Sequence, residues 1–252
     1  MMKNTFSSEY HGEEVEKILS DCSKVVSFHS EFKSGVNLKV GDDLVYLSYP
    51  YFQLPPFGMM LSSDTMTVLK PLFKTGELRM HQGEIIVNNF HLTYKKSGKV
   101  QTHIEKKDIE CMCSMDIIKK YAEQSPLMDY VFDGDVNQLI SKVIGFGQGL
   151  TPSGDDFVVG LLALNSRINY LPETVFQTIR YKITEKHTTD VSIAYLKSAL
   201  NQQYSSMIVD VISSLDNQFK LIKALELLAK MGHSSGLDTI AGIYYGLRLI
   251  QK

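Results

Sequence analysis

Cysteine is scarce in this sequence, and its scarcity limits both the chemistry and the compartment that we expect. Only Cys22, Cys111 and Cys113 occur among 252 residues, too few for a disulfide framework. Cys111 and Cys113 lack the second cysteine pair that a zinc site would need, and their place at a strand-to-helix junction predicts packing rather than reactivity. We therefore expect a reduced, cytoplasmic environment.

Excess positive charge and long apolar runs are also missing. The chain has 26 Lys and Arg against 28 Asp and Glu, so its net charge is −2 and binding to nucleic acid phosphates is not expected. No segment approaches the ~20 apolar residues of a membrane span, and the start Met1–Phe6 lacks the apolar core of a signal peptide. These absences predict a soluble protein that binds neither nucleic acid nor membrane.

The sequence changes character near residue 110. Before that point, short runs rich in Val, Ile, Tyr and Phe are separated by turn residues, which is typical of strands. These runs are Lys24–His29, Val36–Val40, Leu44–Tyr49, Met59–Ser62, Glu77–Met80, Glu84–Val87 and Phe90–Tyr94. We predict a small antiparallel barrel or sandwich, preceded by an amphipathic helix within Ser8–Asp21.

After residue 110 the apolar residues recur with helical spacing. Asp135 is expected to cap a helix that stops at Gly145, and Leu215–Met231 has the clearest pattern, with Phe219 on its apolar face. Further helices are expected after Ser114, from Pro172 and after Thr188-Thr189-Asp190. The predicted class is α+β, with a β-rich N-terminal domain at 1–110 and an α-helical domain at 111–252 that carries a glycine-rich site.

One segment combines glycine, hydroxyl and carboxylate groups: Gly145-Phe-Gly-Gln-Gly-Leu-Thr-Pro-Ser-Gly-Asp-Asp156. It predicts a flexible loop that ends at the N-terminus of an apolar helix, Phe157–Leu164. Helix N-termini carry unpaired N–H groups and partial positive charge, and glycine lets a ligand approach the backbone closely. We therefore expect the active site here.

A second copy of this pattern lies near the C-terminus. Ser153-Gly-Asp-Asp-(x)₃-Gly160 aligns with Ser235-Gly-Leu-Asp-(x)₃-Gly242, and we name residues 151–156 the first corner and residues 233–238 the second corner. A capping box would explain serine and aspartate without any ligand. It would not explain Gly154 and Gly236, because glycine weakens the first turn of a helix. The two copies together favour one shared site for a small polar ligand.

Small residues inside the two apolar helices form a further pattern. Gly160 with Ala163, and Gly242 with Gly246, would let two helix backbones approach closely. The same glycines would also fit a packed helical core in which they only relieve crowding.

Four residues of the two corners are candidates for catalysis: Asp155, Asp156, His233 and Asp238. Neighbouring carboxylates suit acid–base chemistry or Mg²⁺, so Asp155 and Asp156 are the predicted metal ligands; a cap beside a solvated carboxylate would give the same pattern. His233 would move a proton near neutral pH, or be an exposed turn residue. The predicted substrate-binding residues are Gly147, Gly149, Thr151, Ser153, Gly154, Thr188, Thr189, Ser234, Ser235 and Gly236, with His29 and Asn37 from the N-terminal half.

These motifs resemble the AllH-type family, the AllH subunit of oxamate carbamoyltransferase. The resemblance rests on Gly145–Phe157, on Thr188-Thr-x-x-Ser192 and on Gly232-His-Ser-Ser-Gly-x-Asp238, with His29-Ser-x-Phe32 and Asn37-Leu38 similar to the family's opening. Gln148 stands where the family commonly has proline.

The resemblance implies a component of an enzyme that transfers a carbamoyl group. Oxalurate and phosphate would give oxamate and carbamoyl phosphate, or the reverse, in allantoin and purine nitrogen catabolism. It also implies other carbamoyltransferase subunits as partners, one of them related to acyl-CoA synthetases. The reaction needs a phosphate held in line with a carbonyl and donors for the developing oxyanion. Mg²⁺ is the one cofactor that the carboxylates suggest.

Two other functions are compatible with the sequence. Leu237–Gly246 resembles the metal-binding end of ADP-ribosylglycohydrolases, which favours a metal-dependent hydrolase. The β-rich N-terminal half and the lack of a second aspartate beside Asp238 count against that alternative. A non-catalytic scaffold that binds a small metabolite and docks on other subunits would carry the same motifs.

Overall fold

The computed structural model describes residues 4–50, 53–108, 115–130 and 135–251. These residues form two compact units, one ending at Thr102 and one beginning at His103. None of the described helices has the length and apolar character that crossing a membrane requires. Cys111 and Cys113 lie outside the described residues, so their predicted packing stays a prediction, while Cys22 is exposed.

The first unit holds the strands, which form two sheets. The described strands are β1 (Asn4–Ser7), β2 (Tyr10–His11), β3 (Val26–Phe32), β4 (Gly35–Val40), β5 (Asp43–Ser48), β6 (Gly58–Met60), β7 (Leu78–His81), β8 (Glu84–Val87), β9 (Phe90–Thr93) and β10 (Gly98–Lys99). The larger sheet has the order β10-β2-β6-β5-β4-β3, and the smaller has the order β1-β9-β8-β7. Two helices belong to this unit, α1 (Glu14–Ser20) and α2 (Ser63–Thr75).

The α+β class is confirmed, and each of the seven runs expected to be extended coincides with a strand, β3 to β9. The antiparallel barrel is wrong. Neither described sheet closes, and both are mixed, because β1 pairs with β9, β2 with β10 and β5 with β6 in parallel. Alternating apolar residues identify a strand and its buried face, but they carry no information on the direction of the strand beside it.

The helices of the first unit differ from expectation in two places. The expected helix within Ser8–Asp21 covers only α1, because Tyr10–His11 forms a strand that pairs with β6. The helix α2 was not predicted from the sequence. Its start is nevertheless marked by Ser62, which accepts a hydrogen bond from the Thr65 N–H at 3.2 Å.

Helices make up the regular structure of the second unit's described residues, apart from an isolated β-bridge between His103 and Gln203. Its helices are α3 (Met115–Ala122), α4 (Val136–Val143), α5 (Ser153–Ile168), α6 (Glu173–Thr184), α7 (Asp190–Leu200), α8 (Ser206–Ser213), α9 (Gln218–Ala229) and α10 (Ser235–Ile250), with a short 3₁₀ helix at Pro126–Asp129. Asp135 caps α4 as expected, and Gly145 follows that helix with a φ of +79°. The placement of Phe219 is wrong: this side chain is 82% exposed, because α9 buries Leu221 and Leu225 instead.

The helices α5 and α10 pack against each other through glycine. A methyl group at Gly160 would lie 2.0 Å from the carbonyl oxygen of Thr239, and one at Gly242 would lie 1.9 Å from that of Phe157. Gly160 and Gly242 occupy the same position in the two copies of the motif, and so do Phe157 and Thr239. The contact is therefore reciprocal, like the contact across a twofold axis. This close packing confirms that the small residues let the two backbones approach.

Candidate functional site

The structure brings the two corners together in the second unit. Thr151 Oγ1 of the first corner lies 3.1 Å from Ser235 Oγ of the second corner, within hydrogen-bond distance. The helices α5 and α10 pack against each other near their first turns, so both helices begin close to this contact. Unpaired N–H groups and positive partial charge from two helix N-termini therefore lie close to one another.

Neither corner is a capping box. The N-cap residue is Pro152 for α5 and Ser234 for α10, and neither helix has a side-chain hydrogen bond at its cap. Ser153 and Ser235 are the first helical residues instead. The aspartates of both corners are therefore available for contacts other than capping.

Close packing explains why the second residue of each Ser-Gly-x-Asp motif is glycine. A methyl group at Gly154 would lie 1.7 Å from the carbonyl oxygen of Val143, at the end of α4. A methyl group at Gly236 would lie 1.7 Å from the carbonyl oxygen of Leu228, near the end of α9. In each copy, the preceding helix therefore presses its backbone against the first turn of the next helix, and only glycine fits.

The glycine loop, residues 145–150, is held at both ends. The Gly145 N–H donates to Asp155 Oδ1 at 2.9 Å, and the Gly154 N–H donates to the Phe146 carbonyl at 2.9 Å. At the other end, the Thr189 hydroxyl donates to the Leu150 carbonyl. These contacts attach the loop to α5 and to the start of α7, while residues 146–150 stay exposed.

The middle of the glycine loop presents unpaired amides to solvent. Among the described residues, none accepts a hydrogen bond from the N–H groups of Gly147, Gln148 or Gly149. Gly147 and Gly149 have φ values of +118° and +90°, which favour glycine, and nothing lies within 4 Å of a methyl group placed at Gly149. Successive unpaired N–H groups next to a helix N-terminus form a concavity that suits an anion.

Asp155 is a structural carboxylate. It is 1% exposed, and its oxygens accept hydrogen bonds from the Gly145 N–H and the Thr188 hydroxyl. Burial raises the pKa of Asp155, whereas the hydrogen bonds from Thr188 and Gly145 lower it. A metal ion at Asp155 would have to displace one of these donors. Asp155 therefore joins α5, the glycine loop and α7.

Asp156 and Asp238 form the second pair of carboxylates, one from each corner. Asp156 is 8% exposed and Asp238 is fully buried, yet Oδ2 of each makes no hydrogen bond to the described residues. Asp238 Oδ1 accepts a hydrogen bond from the Ser125 hydroxyl at 2.5 Å. Burial raises the pKa of Asp156 well above its usual range; Asp238 adds to this rise, and the nearby hydroxyls of Ser235 and Thr151 oppose it.

The comparison with protein families identifies this region. Residues 143–247 match the family model of oxamate carbamoyltransferase subunit AllH. This segment is therefore similar to the AllH family. The match contains the glycine loop and both corners, and it supports the predicted AllH-type resemblance. The family is named as a subunit, which supports the expectation of other carbamoyltransferase subunits as partners. No solved structure matches the chain.

The remaining predicted residues of the AllH-type segment have clear positions. Thr188 donates to Asp155, and Thr189 caps α7 by accepting from the Ser192 N–H at 3.1 Å. Ser153 and Ser234 are half-buried at the starts of the two helices, and His233 is exposed at the second corner. A direct substrate contact by any of these residues stays a prediction.

His29 and Asn37 belong to the first unit and lie outside the AllH-type match. His29 Nδ1 and Asn37 Nδ2 lie 3.0 and 3.2 Å from Ser30 Oγ, at a bulge between β3 and β4. Asn37 is only 2% exposed, so its side chain is buried. Their predicted contact with substrate stays a prediction.

Two residues near this site are missing from the sequence-based list of site residues. The Ser125 hydroxyl donates to Asp238, and Ser192 is a buried serine, 1% exposed, close enough to Asp155 to lower the pKa of that carboxyl. Ser192 falls within the quoted Thr188-Thr-x-x-Ser192 motif, so a signal was present for it. Ser125 has only a local signal, because it precedes Pro126 as the cap of a short helix and meets Asp238 through tertiary packing alone.

The raised pKa of Asp156 makes a pH dependence of stability testable. Because the folded state binds this proton more tightly than the unfolded state, stability is expected to fall as the pH rises above about 4, the carboxyl's ordinary range. Asp156→Asn should weaken that fall and should raise Tm at pH 8 in metal-free buffer. Thermal unfolding of wild type and variant between pH 4 and 8 measures the difference.

The exposed Asp116→Asn on α3 is the matched control, and its difference from wild type should not depend on pH in this way. An Asp156→Asn variant whose Tm stays below that of the wild type at every pH would show that the buried charge is fully compensated in the folded state.

Proposed function

We propose that this chain is the AllH-type subunit of a carbamoyltransferase that converts oxalurate and phosphate into oxamate and carbamoyl phosphate, or runs the reverse, in allantoin and purine nitrogen catabolism. The observation that carries the proposal is the row of unpaired amides of Gly147, Gln148 and Gly149, at the N-terminus of α5. Such a concavity suits phosphate or the phosphoryl group of carbamoyl phosphate. The AllH match over the same residues supports this assignment.

The reaction defines what the site must do. A phosphate oxygen attacks the ureido carbonyl carbon of oxalurate and forms the new C–O bond. The bond from that carbon to the oxamate nitrogen breaks, and the nitrogen takes up the proton that the hydrogen phosphate releases. Catalysis then needs the phosphate held in line with the carbonyl and donors for the oxygen that becomes negative.

The two corners supply groups for these tasks. The glycine loop would hold the phosphate through its amides. The hydroxyls of Thr151 and Ser235, which lie 3.1 Å apart, would donate to the carbonyl oxygen or to the carboxylate of the substrate. His233 is exposed beside them and would carry the proton between the phosphate and the leaving nitrogen.

Ligand binding to the full-length chain tests the proposal. Thermal shift and calorimetry are run with phosphate, carbamoyl phosphate, oxalurate and oxamate, because a ligand that binds only the folded state raises Tm by mass action. We expect Thr151→Val and Ser235→Ala each to weaken binding roughly tenfold, the effect of one lost hydrogen bond of about 1.4 kcal/mol. Ser141→Ala, exposed on α4, is the control and should bind like the wild type.

Turnover is measured with the chain alone and after the other subunits are added. The proposal is supported if this chain binds the compounds and the complete assembly turns them over. Turnover by the chain alone is not required. If none of the four compounds binds at millimolar concentration, or if both variants bind them like the wild type, the proposal is wrong.

A further inference from the structure

Asp156 and Asp238 occupy equivalent positions at the starts of two helices that pack on each other. Asp156 is close enough to Ser235, Thr151 and Asp238 for all three to act on its pKa. Ser235 is in the first turn of α10, which carries Asp238, and its hydroxyl lies 3.1 Å from that of Thr151 in the first corner. The pair therefore lies where the two corners join.

Each of these carboxylates has one oxygen without a partner. Oδ2 of Asp156 and Oδ2 of Asp238 are both buried, and no group in the described residues donates a hydrogen bond to either. A buried carboxylate oxygen without a donor is costly, and two such oxygens on neighbouring like charges are costlier still. This arrangement persists in proteins when a cation or a proton joins the two groups.

Charge and ligand type favour a cation. Two helix N-termini together contribute about one positive charge, whereas two ionised carboxylates contribute two negative charges, so the pair attracts a cation more than it attracts an anion. The hydroxyls of Thr151 and Ser235 lie near Asp156, and that of Ser125 donates to Asp238, so these candidate ligands are hard oxygens. Mg²⁺ and Mn²⁺ prefer oxygen ligands of this kind.

The number of protein ligands also fits. Among the described residues, no group of three or more His, Cys, Asp or Glu side chains could hold a metal ion. A closed site for zinc is therefore absent from this part of the chain. Mg²⁺ is commonly bound by one or two carboxylates and completes its shell with water or with the phosphate oxygens of a substrate.

We propose that Asp156 and Asp238, one from each corner, together hold a divalent cation of the Mg²⁺ or Mn²⁺ type at the joined N-termini of α5 and α10. Thr151 and Ser235 supply hydroxyl oxygens close to it. The pair differs from the neighbouring carboxylates Asp155 and Asp156 that the sequence suggests, because the oxygens of Asp155 are occupied by Gly145 and Thr188.

This inference deepens the proposed function, and it rests on that proposal only for the anion that would complete the cation's shell. Without a cation, two buried carboxylates would repel a phosphate held at the glycine loop. With a bound divalent ion the local charge becomes positive, and the same loop attracts phosphate. A dependence of phosphate affinity on the metal is therefore expected.

Metal binding is tested on the full-length chain without any metabolite. Calorimetry and electron paramagnetic resonance with Mn²⁺ should show one bound ion per chain, displaced by excess Mg²⁺. Asp156→Asn and Asp238→Asn should each weaken Mn²⁺ binding at least tenfold. Asp116→Asn, exposed on α3, is the control and should keep the site occupied.

Thermal unfolding accompanies each variant so that loss of the fold is not taken for loss of the site. Mn²⁺ should raise Tm of the wild type and of Asp116→Asn, but not of a folded Asp156→Asn. If the wild type does not bind Mn²⁺ at millimolar concentration, or if Asp156→Asn binds it as tightly as the wild type, the inference is wrong and a shared proton is the bridge. Phosphate or oxalurate binding without Mn²⁺ binding would overturn the cation site and leave the proposed function standing.

Discussion

Replacing Gly160 or Gly242 by alanine is expected to destabilise the helical unit strongly. The new carbon would lie 2.0 Å from the Thr239 carbonyl or 1.9 Å from the Phe157 carbonyl, far inside contact distance. Both obstacles are backbone atoms of a neighbouring helix, so α5 and α10 would have to move apart. We expect a loss of at least about 3 kcal/mol for each variant, the upper end of overpacking costs.

A double variant makes this prediction specific. Because Gly160 and Gly242 face each other's helix reciprocally, a single separation of α5 and α10 relieves both clashes. Gly160→Ala/Gly242→Ala should therefore cost clearly less than the sum of the two single variants. Urea or thermal unfolding measures all three free energies of unfolding.

Gly149→Ala is the control, because it adds a methyl group that meets no neighbouring atom. Nothing lies within 4 Å of that position, so only the positive φ of +90° opposes the change, at a cost of about 1–2 kcal/mol. Single variants at Gly160 and Gly242 that unfold within a degree or two of the wild type would show that the two helices are not in close contact.

The second large effect is expected at Asp155. Asp155→Ala would leave the Gly145 N–H and the Thr188 hydroxyl without their acceptor inside the protein. Unsatisfied buried donors cost about 1–3 kcal/mol each, so we expect a loss of roughly 2–4 kcal/mol. For a domain of this size, that corresponds to a fall in Tm of about 5–15 °C.

The neighbouring aspartate provides the contrast. Asp155→Asn keeps one acceptor oxygen and should recover part of the loss, whereas Asp156→Asn should stabilise the metal-free protein at pH 8, because Asp156 has an unpaired buried oxygen. Two adjacent carboxylates would thus respond to the same substitution with opposite signs. An Asp155→Ala variant as stable as the wild type would remove Asp155 from its role in holding the glycine loop.

The helices and strands were largely readable from local patterns. The apolar spacing and the caps placed α4, α6, α7 and α9, because these signals depend on neighbours within one or two turns. Phe219 shows the limit of such patterns. It continues the apolar spacing of α9, yet it is 82% exposed, because which stripe of a helix is covered depends on the elements packed around it.

The candidate site was found from sequence because it is built twice. The repeated Ser-Gly-x-Asp motif drew attention to both corners, and the small residues at Gly160 and Gly242 indicated a close approach of two helices. From the sequence, Asp155 and Asp156 had one shared role, as catalytic residues and metal ligands, with nothing to distinguish between them. Asp155 and Asp156 are adjacent in sequence, but they differ in their contacts. Each oxygen of Asp155 accepts a hydrogen bond, whereas Oδ2 of Asp156 accepts none from the described residues.

Local chemistry, then, determined the elements of this protein and the two glycine-rich corners, since turn residues, caps and apolar periods act over a few positions. The directions of the strands, the reciprocal packing of α5 on α10, the pairing of Asp156 with Asp238 and the contact of Ser125 with Asp238 were decided only by tertiary structure. Each of these features joins residues far apart in the chain. Their partners are selected by the shape and burial of whole elements, which no short segment encodes.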